Sequence, residues 1–197
     1  MIDEQYFETI KCFDKEVFNL EYHKKRISKT VGMNFNLEEY IYPQSDNLQK
    51  CKVIYDKNEI IDISYSDYKI KDINSFKLVV SNQIIYNKKS TKRESIDNLY
   101  MKKGLCDEII IVKNNLITDT SIANIAILID DIWYTPKIPL LYGTTRERLL
   151  DNKKIIKKDI SIDELLNAKK IALMNAMIGF YIVEKPYIKQ DLDSISR

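Results

Sequence analysis

Glycine and proline are scarce, four of each in 197 residues. That scarcity excludes a collagen-like repeat and a long flexible linker. An excess of one charge is missing as well: 31 Lys and Arg nearly cancel 29 Asp and Glu, leaving a formal +2. Nothing in that balance calls for a nucleic-acid partner. Cys12, Cys51 and Cys106 lie far apart with no CxxC pair, and His23 is the one histidine. No metal site is therefore expected, and reduced thiols of a cytoplasmic protein are the expected state. Met1, Ile2, Asp3 and Glu4 form an acidic opening without an apolar leader segment. No apolar run approaches the roughly 20 residues of a membrane-spanning helix. What is present is a chain 45% hydrophobic and 30% charged. It has enough apolar material for a core in one larger domain or two small lobes.

The pattern predicts mixed α and β structure. Residues 7–13 mix aromatic and β-branched side chains with polar ones and read as a strand, with residues 15–20 continuing it as a hairpin. Asn19 is placed to cap a helix over 20–30, with Gly32 just past its end. On that helix His23, Arg26 and Ile27 share one face. A short helix is expected over 37–41, then strands over 51–55, 60–65 and 76–80. A polar, basic interruption follows Ile85, and a helix over 94–103 is stopped by Gly104. The junction between lobes is placed there, giving lobes 1–86 and 87–197. In the second lobe, strands over 107–113, 123–129 and 132–134 are separated by Asn and Asp turns and read as an antiparallel meander. A helix over 144–150 follows. Ser161 and Glu164 then have capping-box spacing ahead of Leu165 and Leu166, and residues 170–174 read as the final strand.

Two stretches stand out chemically. Tyr142-Gly143-Thr144-Thr145-Arg146 opens a helix, where free backbone N–H groups and two hydroxyls suit a phosphate; an ordinary helix cap is the plain alternative. Upstream, Ile117-Thr118-Asp119-Thr120-Ser121-Ile122-Ala123-Asn124-Ile125 runs a cluster of small polar groups into an apolar strand. A carboxylate there could be held beside a buried cation, and an Asx or Ser/Thr turn is the plain alternative.

Taken together, residues 117–150 resemble the signature block of the class IV aminotransferases, the fold-type IV pyridoxal-phosphate (PLP) enzymes. That block reads T-[ED]-x-[ST]-x-x-N, then a Thr-Pro turn, then L-L-x-G-[IT]-[TS]-R. Phe7-Glu8-Thr9-Ile10 is similar to the family's first strand. Leu20, His23, Arg26 and Ile27 are similar to its first helix, and residues 173–178 to its last motif. The resemblance spans residues 7–178 and implies a compact two-lobed α/β (α+β) enzyme.

It also implies roles for residues. Lys89, four positions before Arg93 in a K-x-x-[ND]-R-like segment, is implied as the lysine that carries PLP, with Lys88 the alternative in register. Asp119 takes the place of the acid that meets the pyridine nitrogen. Arg26 matches the phosphate-binding arginine, Gly143, Thr144 and Thr145 the phosphate cradle, and Asn175 and Ala176 lie near the cofactor. His23 is expected to pack or hydrogen-bond structurally. Arg93, Lys92 and Arg146 are candidates for a substrate carboxylate by charge alone. Family members use small amino substrates and are homodimers. The short chain and the Trp133-Tyr134-Thr135-Pro136 turn look most like 4-amino-4-deoxychorismate lyases, which release pyruvate and 4-aminobenzoate for folate synthesis. A small aminotransferase acting on branched-chain or D-amino acids is the second expectation, and a non-catalytic PLP-family binding protein the third.

Overall fold

The structure is a computed structural model, and it describes residues 4–190. Met1, Ile2 and Asp3, considered above for a leader, lie outside the described residues. The chain divides into two compact units, one drawn from Met1–Lys71 and Lys88–Lys92, the other from Asp72–Asn87 and Arg93–Arg197. The expected cut at 86/87 therefore meets a more interleaved division.

The first unit is a four-stranded antiparallel sheet with one helix on it. Its strands are β1 (Tyr6–Phe13), β2 (Glu16–Val17), β3 (Gln49–Tyr55) and β4 (Ile60–Asp67), in the order β2-β1-β3-β4. Asp14 and Lys15 both take positive φ, 52° and 60°, which matches the twist a two-residue hairpin needs. Helix α1 (Leu20–Val31) starts at Asn19, but Asn19 is itself left-handed and makes no side-chain cap. Gly32 ends the helix in the left-handed region, its N–H donating to the Ser28 carbonyl. The short helix expected at residue 37 is a single 3-10 turn, Leu37–Glu39. Alternation along β1 turns Tyr6, Ile10 and Cys12 to the face where Ile27, Leu37, Cys51, Val53 and Tyr55 complete the core.

The second unit stacks two sheets. One has the order β13-β5-β6-β7, from β5 (Ser75–Val80), β6 (Glu108–Lys113), β7 (Leu116–Ile117) and β13 (Tyr187–Lys189). The other has the order β10-β9-β8-β11-β12, from β8 (Asn124–Ile129), β9 (Ile132–Pro136), β10 (Ile156–Lys158), β11 (Ile171–Asn175) and β12 (Gly179–Val183). β5 belongs here because it pairs in parallel with β6, through a crossover that contains α2 (Glu94–Tyr100) and a 3-10 turn, Met101–Lys103. A second parallel pair, β9 with β10, is linked by α3 (Thr144–Asp151). Phe76, Leu78, Ile110, Val112 and Ile117 from one sheet pack on Ile125, Ile127, Ile171, Leu173 and Val183 from the other. The opposite face of β6, Ile109 and Ile111, packs on Ile96 and Leu99 of α2. Burial on both faces explains the unbroken apolar run of β6.

Two expectations are corrected. The predicted meander is split: β6 and β7 form a hairpin in one sheet, β8 and β9 a hairpin in the other. The chain changes sheets at residues 118–123. There the Ile111 N–H donates to the Asp119 carbonyl at 2.8 Å, and Thr120 N–H and the Ala123 carbonyl close a turn at 2.9 Å. The strand at residue 171 is also not the last, since β12 pairs with it across a tight turn and β13 follows. The expected capping box is formed: Ser161 Oγ accepts from the Glu164 N–H at 3.1 Å while Glu164 Oε2 accepts from the Ser161 N–H at 2.9 Å, opening α4 (Ile162–Asn167). Among the described residues, no helix is long and apolar enough to cross a membrane.

Candidate functional site

In the first unit, residues 88–91 run antiparallel beside β1. The Phe7 N–H donates to the Lys89 carbonyl and the Thr91 N–H to the Gln5 carbonyl, each at 2.9 Å, and Ser90 lies opposite Tyr6. Alternation sends neighbouring side chains of such a segment to opposite faces. Lys88 is exposed, with Nζ 5.3 Å from the Tyr6 ring centroid. Lys89 is half-buried, with Nζ 4.5 Å from the Phe7 ring centroid. The two lysines are therefore not equivalent.

Glu8 lies on the buried side of β1, under α1. Arg26 Nε donates to its Oε1 at 2.8 Å, Arg26 Nη2 donates to Oε2, and His23 Nδ1 donates to Oε2 at 2.6 Å. His23 and Arg26 are one helical turn apart, so both reach the same carboxylate. Burial alone would push Glu8 up, but the Arg26 charge and the hydrogen bonds from His23 and Arg26 prevail and hold it at about 2. His23 is thus a structural partner of Glu8, as expected, and Arg26 has two of its nitrogens on Glu8.

In the second unit, Asp119 is fully buried yet bonded by neutral donors. Asn124 Nδ2 donates to its Oδ1 at 2.7 Å, and the Leu141 N–H donates to its Oδ2 at 2.9 Å. Burial pushes Asp119 up to about 6, against the hydrogen bonds from Leu141 and Asn124 and the charge of Arg146. Gly143 precedes α3 in an extended conformation without a side-chain cap, and the helix starts with the Glu147 N–H donating to the Gly143 carbonyl. Thr144 and Thr145 are buried in the first turn. Arg146 is only 2% exposed, its Nε donating to Thr135 Oγ1 at 3.2 Å and Nη2 to the Pro136 carbonyl at 2.7 Å. Burial lowers its proton affinity and the Asp119 charge opposes that. A substrate carboxylate has no open approach to such a residue.

The loop after Asp119 is held at several points. Ser121 Oγ donates to Glu108 Oε2 at 2.8 Å, while Arg93 Nη2 donates to the Ser121 carbonyl at 3.0 Å. Arg93 Nη1 also donates to the Tyr86 hydroxyl at 3.1 Å. Burial raises the Glu108 carboxyl. Asn175 Nδ2 donates to the Ile122 carbonyl at 3.3 Å, and its Oδ1 accepts from the Met177 and Ile178 N–H groups at 2.9 and 3.0 Å, which makes it the turn former between β11 and β12. Ala176 lies in that turn. Asp119, Gly143, Thr144, Thr145 and Asn175 thus belong to the second unit, and Arg26 and Lys89 to the first.

Sequence reasoning passed over Glu8, Asn124, Glu108 and Leu141 as working parts. Glu8 and Asn124 were visible as fixed letters of the motifs. Glu108 carried only the weak signal of an acid entering an apolar strand, and the Leu141 contribution is a backbone N–H that no side chain announces.

Residues 96–185 match the family model of amino-transferase class IV. An uncharacterised protein of Haemophilus influenzae is 34% identical over 184 residues, 88% of this chain and 97% of its own. Among solved structures, a candidate 4-amino-4-deoxychorismate lyase from Haemophilus somnus is 32% identical with a TM-score of 0.84, over 91% of this chain and 99% of its own. A hypothetical aminotransferase from Mycobacterium tuberculosis in its PLP-bound form shares the fold at 13% identity and a TM-score of 0.74, over 94% of this chain and 84% of its own.

Proposed function

The chain belongs to the class IV aminotransferase family of PLP-dependent enzymes, and from that premise we propose that it is a 4-amino-4-deoxychorismate lyase, releasing pyruvate and 4-aminobenzoate. The observation that carries this reading is the likeness to the Haemophilus somnus candidate lyase, at 32% identity across 99% of that chain.

Two features of the second unit fit the cofactor. Asp119 is a buried anion whose hydrogen-bond partners are neutral, which suits a protonated ring nitrogen. Helix α3 opens without a side-chain cap, and its first N–H groups have no intrahelical acceptor, which suits a phosphate. Bound PLP supplies an electron sink for the pair left when a substrate C–H bond is broken. Lys89 would hold the cofactor and, once freed, would take the proton from the amine-bearing carbon; as the ring–oxygen bond breaks, the ring becomes aromatic and the departing enolpyruvate takes up a proton to become pyruvate. Asp119 would supply a negative charge to the ring nitrogen. Gly143, Thr144 and Thr145 offer the helix start to the phosphate, and Arg26 a guanidinium. Asn175 and Ala176, in the turn between β11 and β12, would lie beside the cofactor. The working form is read as a homodimer. A cytoplasmic setting is consistent with Cys12, Cys51 and Cys106, which are buried free thiols.

The test is a visible spectrum of the protein with PLP, followed by assays on two substrate sets. Pyruvate release from aminodeoxychorismate supports the lyase. Keto-acid formation only from an amino acid with 2-oxoglutarate replaces it with an aminotransferase. The absence of any cofactor band would leave a non-catalytic member of the family.

A further inference from the structure

The Asp119 carboxylate sits in a closed ring of hydrogen bonds. Asn124 Nδ2 donates both to Asp119 Oδ1, at 2.7 Å, and to the Leu141 carbonyl, at 2.8 Å. The Leu141 N–H returns to Asp119 Oδ2 at 2.9 Å. One amide group therefore ties the acid to the segment that leads into α3. The backbones of Asp119 and Asn124 form an isolated antiparallel bridge, so both ends of the 119–124 loop share one support.

We propose that Asn124 is the positioning residue of Asp119, orienting the carboxylate and holding it charged for a cationic N–H donor. The inference rests on the reading of Asp119 as the acid facing the cofactor nitrogen, while the Asn124 role itself stands on the geometry of the second unit.

The chemistry favours an amide here. A buried carboxylate without donors takes up a proton, and a neutral acid cannot stabilise a cation. A lysine or arginine in direct contact would keep it charged but would compete with a cationic ligand. Asn124 supplies donors without a charge, and each Asp119 oxygen keeps further lone-pair capacity for an incoming N–H. Arg146 on α3 adds a positive charge at longer range, with its Nε donating to Thr135 and its Nη2 to the Pro136 carbonyl. Asp119 stands at about 6, which leaves it mostly ionised at neutral pH.

The full-length chain carrying 13C-labelled aspartate is titrated after removal of PLP, with the Asp119 signal assigned through Asp119→Asn. In Asn124→Ala the Asp119 midpoint is expected to rise by about one pH unit, a tenfold gain in proton affinity. An unchanged midpoint in folded Asn124→Ala overturns the proposal. A second measurement needs no variant at position 124: in the unmodified chain, the Asn124 side-chain amide and the Leu141 N–H resonances are expected to shift together with the Asp119 midpoint. Resonances that ignore it overturn the proposal even if Asn124→Ala fails to fold. PLP binding to Asn124→Ala, followed by fluorescence titration, separates the two readings. A moved midpoint with PLP affinity weakened about tenfold supports both. A moved midpoint with unchanged PLP affinity supports the Asn124 role and removes Asp119 from the cofactor nitrogen.

Discussion

The Asn124 amide oxygen occupies the space that a side chain on residue 143 would need: an added Cβ would lie 2.0 Å from it. Gly143 has φ −72°, so close approach, not a left-handed backbone, is what excludes a side chain there. Gly143→Ala is expected to cost about 1–3 kcal/mol, the usual range for overpacking a well-fitted site. Thermal denaturation reads this as a loss of about 2–4 °C per kcal/mol in a chain of this size. In Asn124→Ala the same Gly143→Ala change is expected to cost less, because the clashing oxygen is gone. Equal costs in both backgrounds would show that the contact does not couple the two positions.

Glu8 and Asp119 set opposite slopes in stability against pH. Glu8 is held at about 2 from an ordinary value of 4.5, so its stabilisation is complete above about pH 4.5 and lost as pH falls toward 2. Asp119 is raised from 3.8 to about 6, so the folded state binds the extra proton and stability falls as pH rises through that interval. Denaturant titrations of the cofactor-free chain should show stability rising from pH 2 to about 4.5 and then declining toward 6. Glu8→Gln shrinks the lower limb, to which the lowered Glu38, Asp56, Asp107 and Glu164 also contribute, and leaves Arg26 without its buried counter-charge, a loss of about 3 kcal/mol at neutral pH. A variant whose rise between pH 2 and 4.5 is as large as that of the unmodified chain would remove Glu8 as its main source.

How much of this was legible in the chain differs by residue. The Phe7 strand, the Gly32 helix stop and the Ser161 box follow from local rules, and all three formed. Local rules could not divide β6 from β8, because both are apolar runs and only the hydrogen bonds of residues 118–123 carry the chain to a second sheet. β13 escaped notice because it has three residues and finds β5 in parallel from the far end of the chain. Within the candidate site, Asp119 and Gly143 were readable as motif letters, whereas their linkage runs through the Asn124 side chain and the Leu141 N–H. As candidates for a substrate carboxylate Arg93 and Arg146 rested on charge alone, and the structure turns both to carbonyl oxygens of the second unit.

The capping box of α4 offers a stability test remote from Asp119. Ser161→Ala removes the acceptor for the Glu164 N–H and is expected to cost about 1 kcal/mol. The melting temperature should fall by about 2–4 °C, while PLP affinity stays unchanged. A cofactor effect of Ser161→Ala would mean that α4 communicates with the second unit's acid by a route other than these bonds.

Lys88 and Lys89 can be told apart by chemistry because they project to opposite faces of the segment that runs beside β1. Ser90 lies opposite Tyr6, Lys88 Nζ rests on the Tyr6 ring, and Lys89 Nζ rests on the Phe7 ring. Reduction of the PLP-loaded protein with borohydride, followed by peptide mass spectrometry, is expected to place the cofactor on Lys89. Lys89→Ala should lose the reducible cofactor band and turnover, down to the level of free PLP. Lys88→Ala should keep both within about twofold, since its ammonium is exposed and its contact with Tyr6 is worth about 0.5–1 kcal/mol at most. Cofactor recovered on Lys88 in the unmodified chain would reverse the assignment and place the reactive amine on the Tyr6 side of the strand.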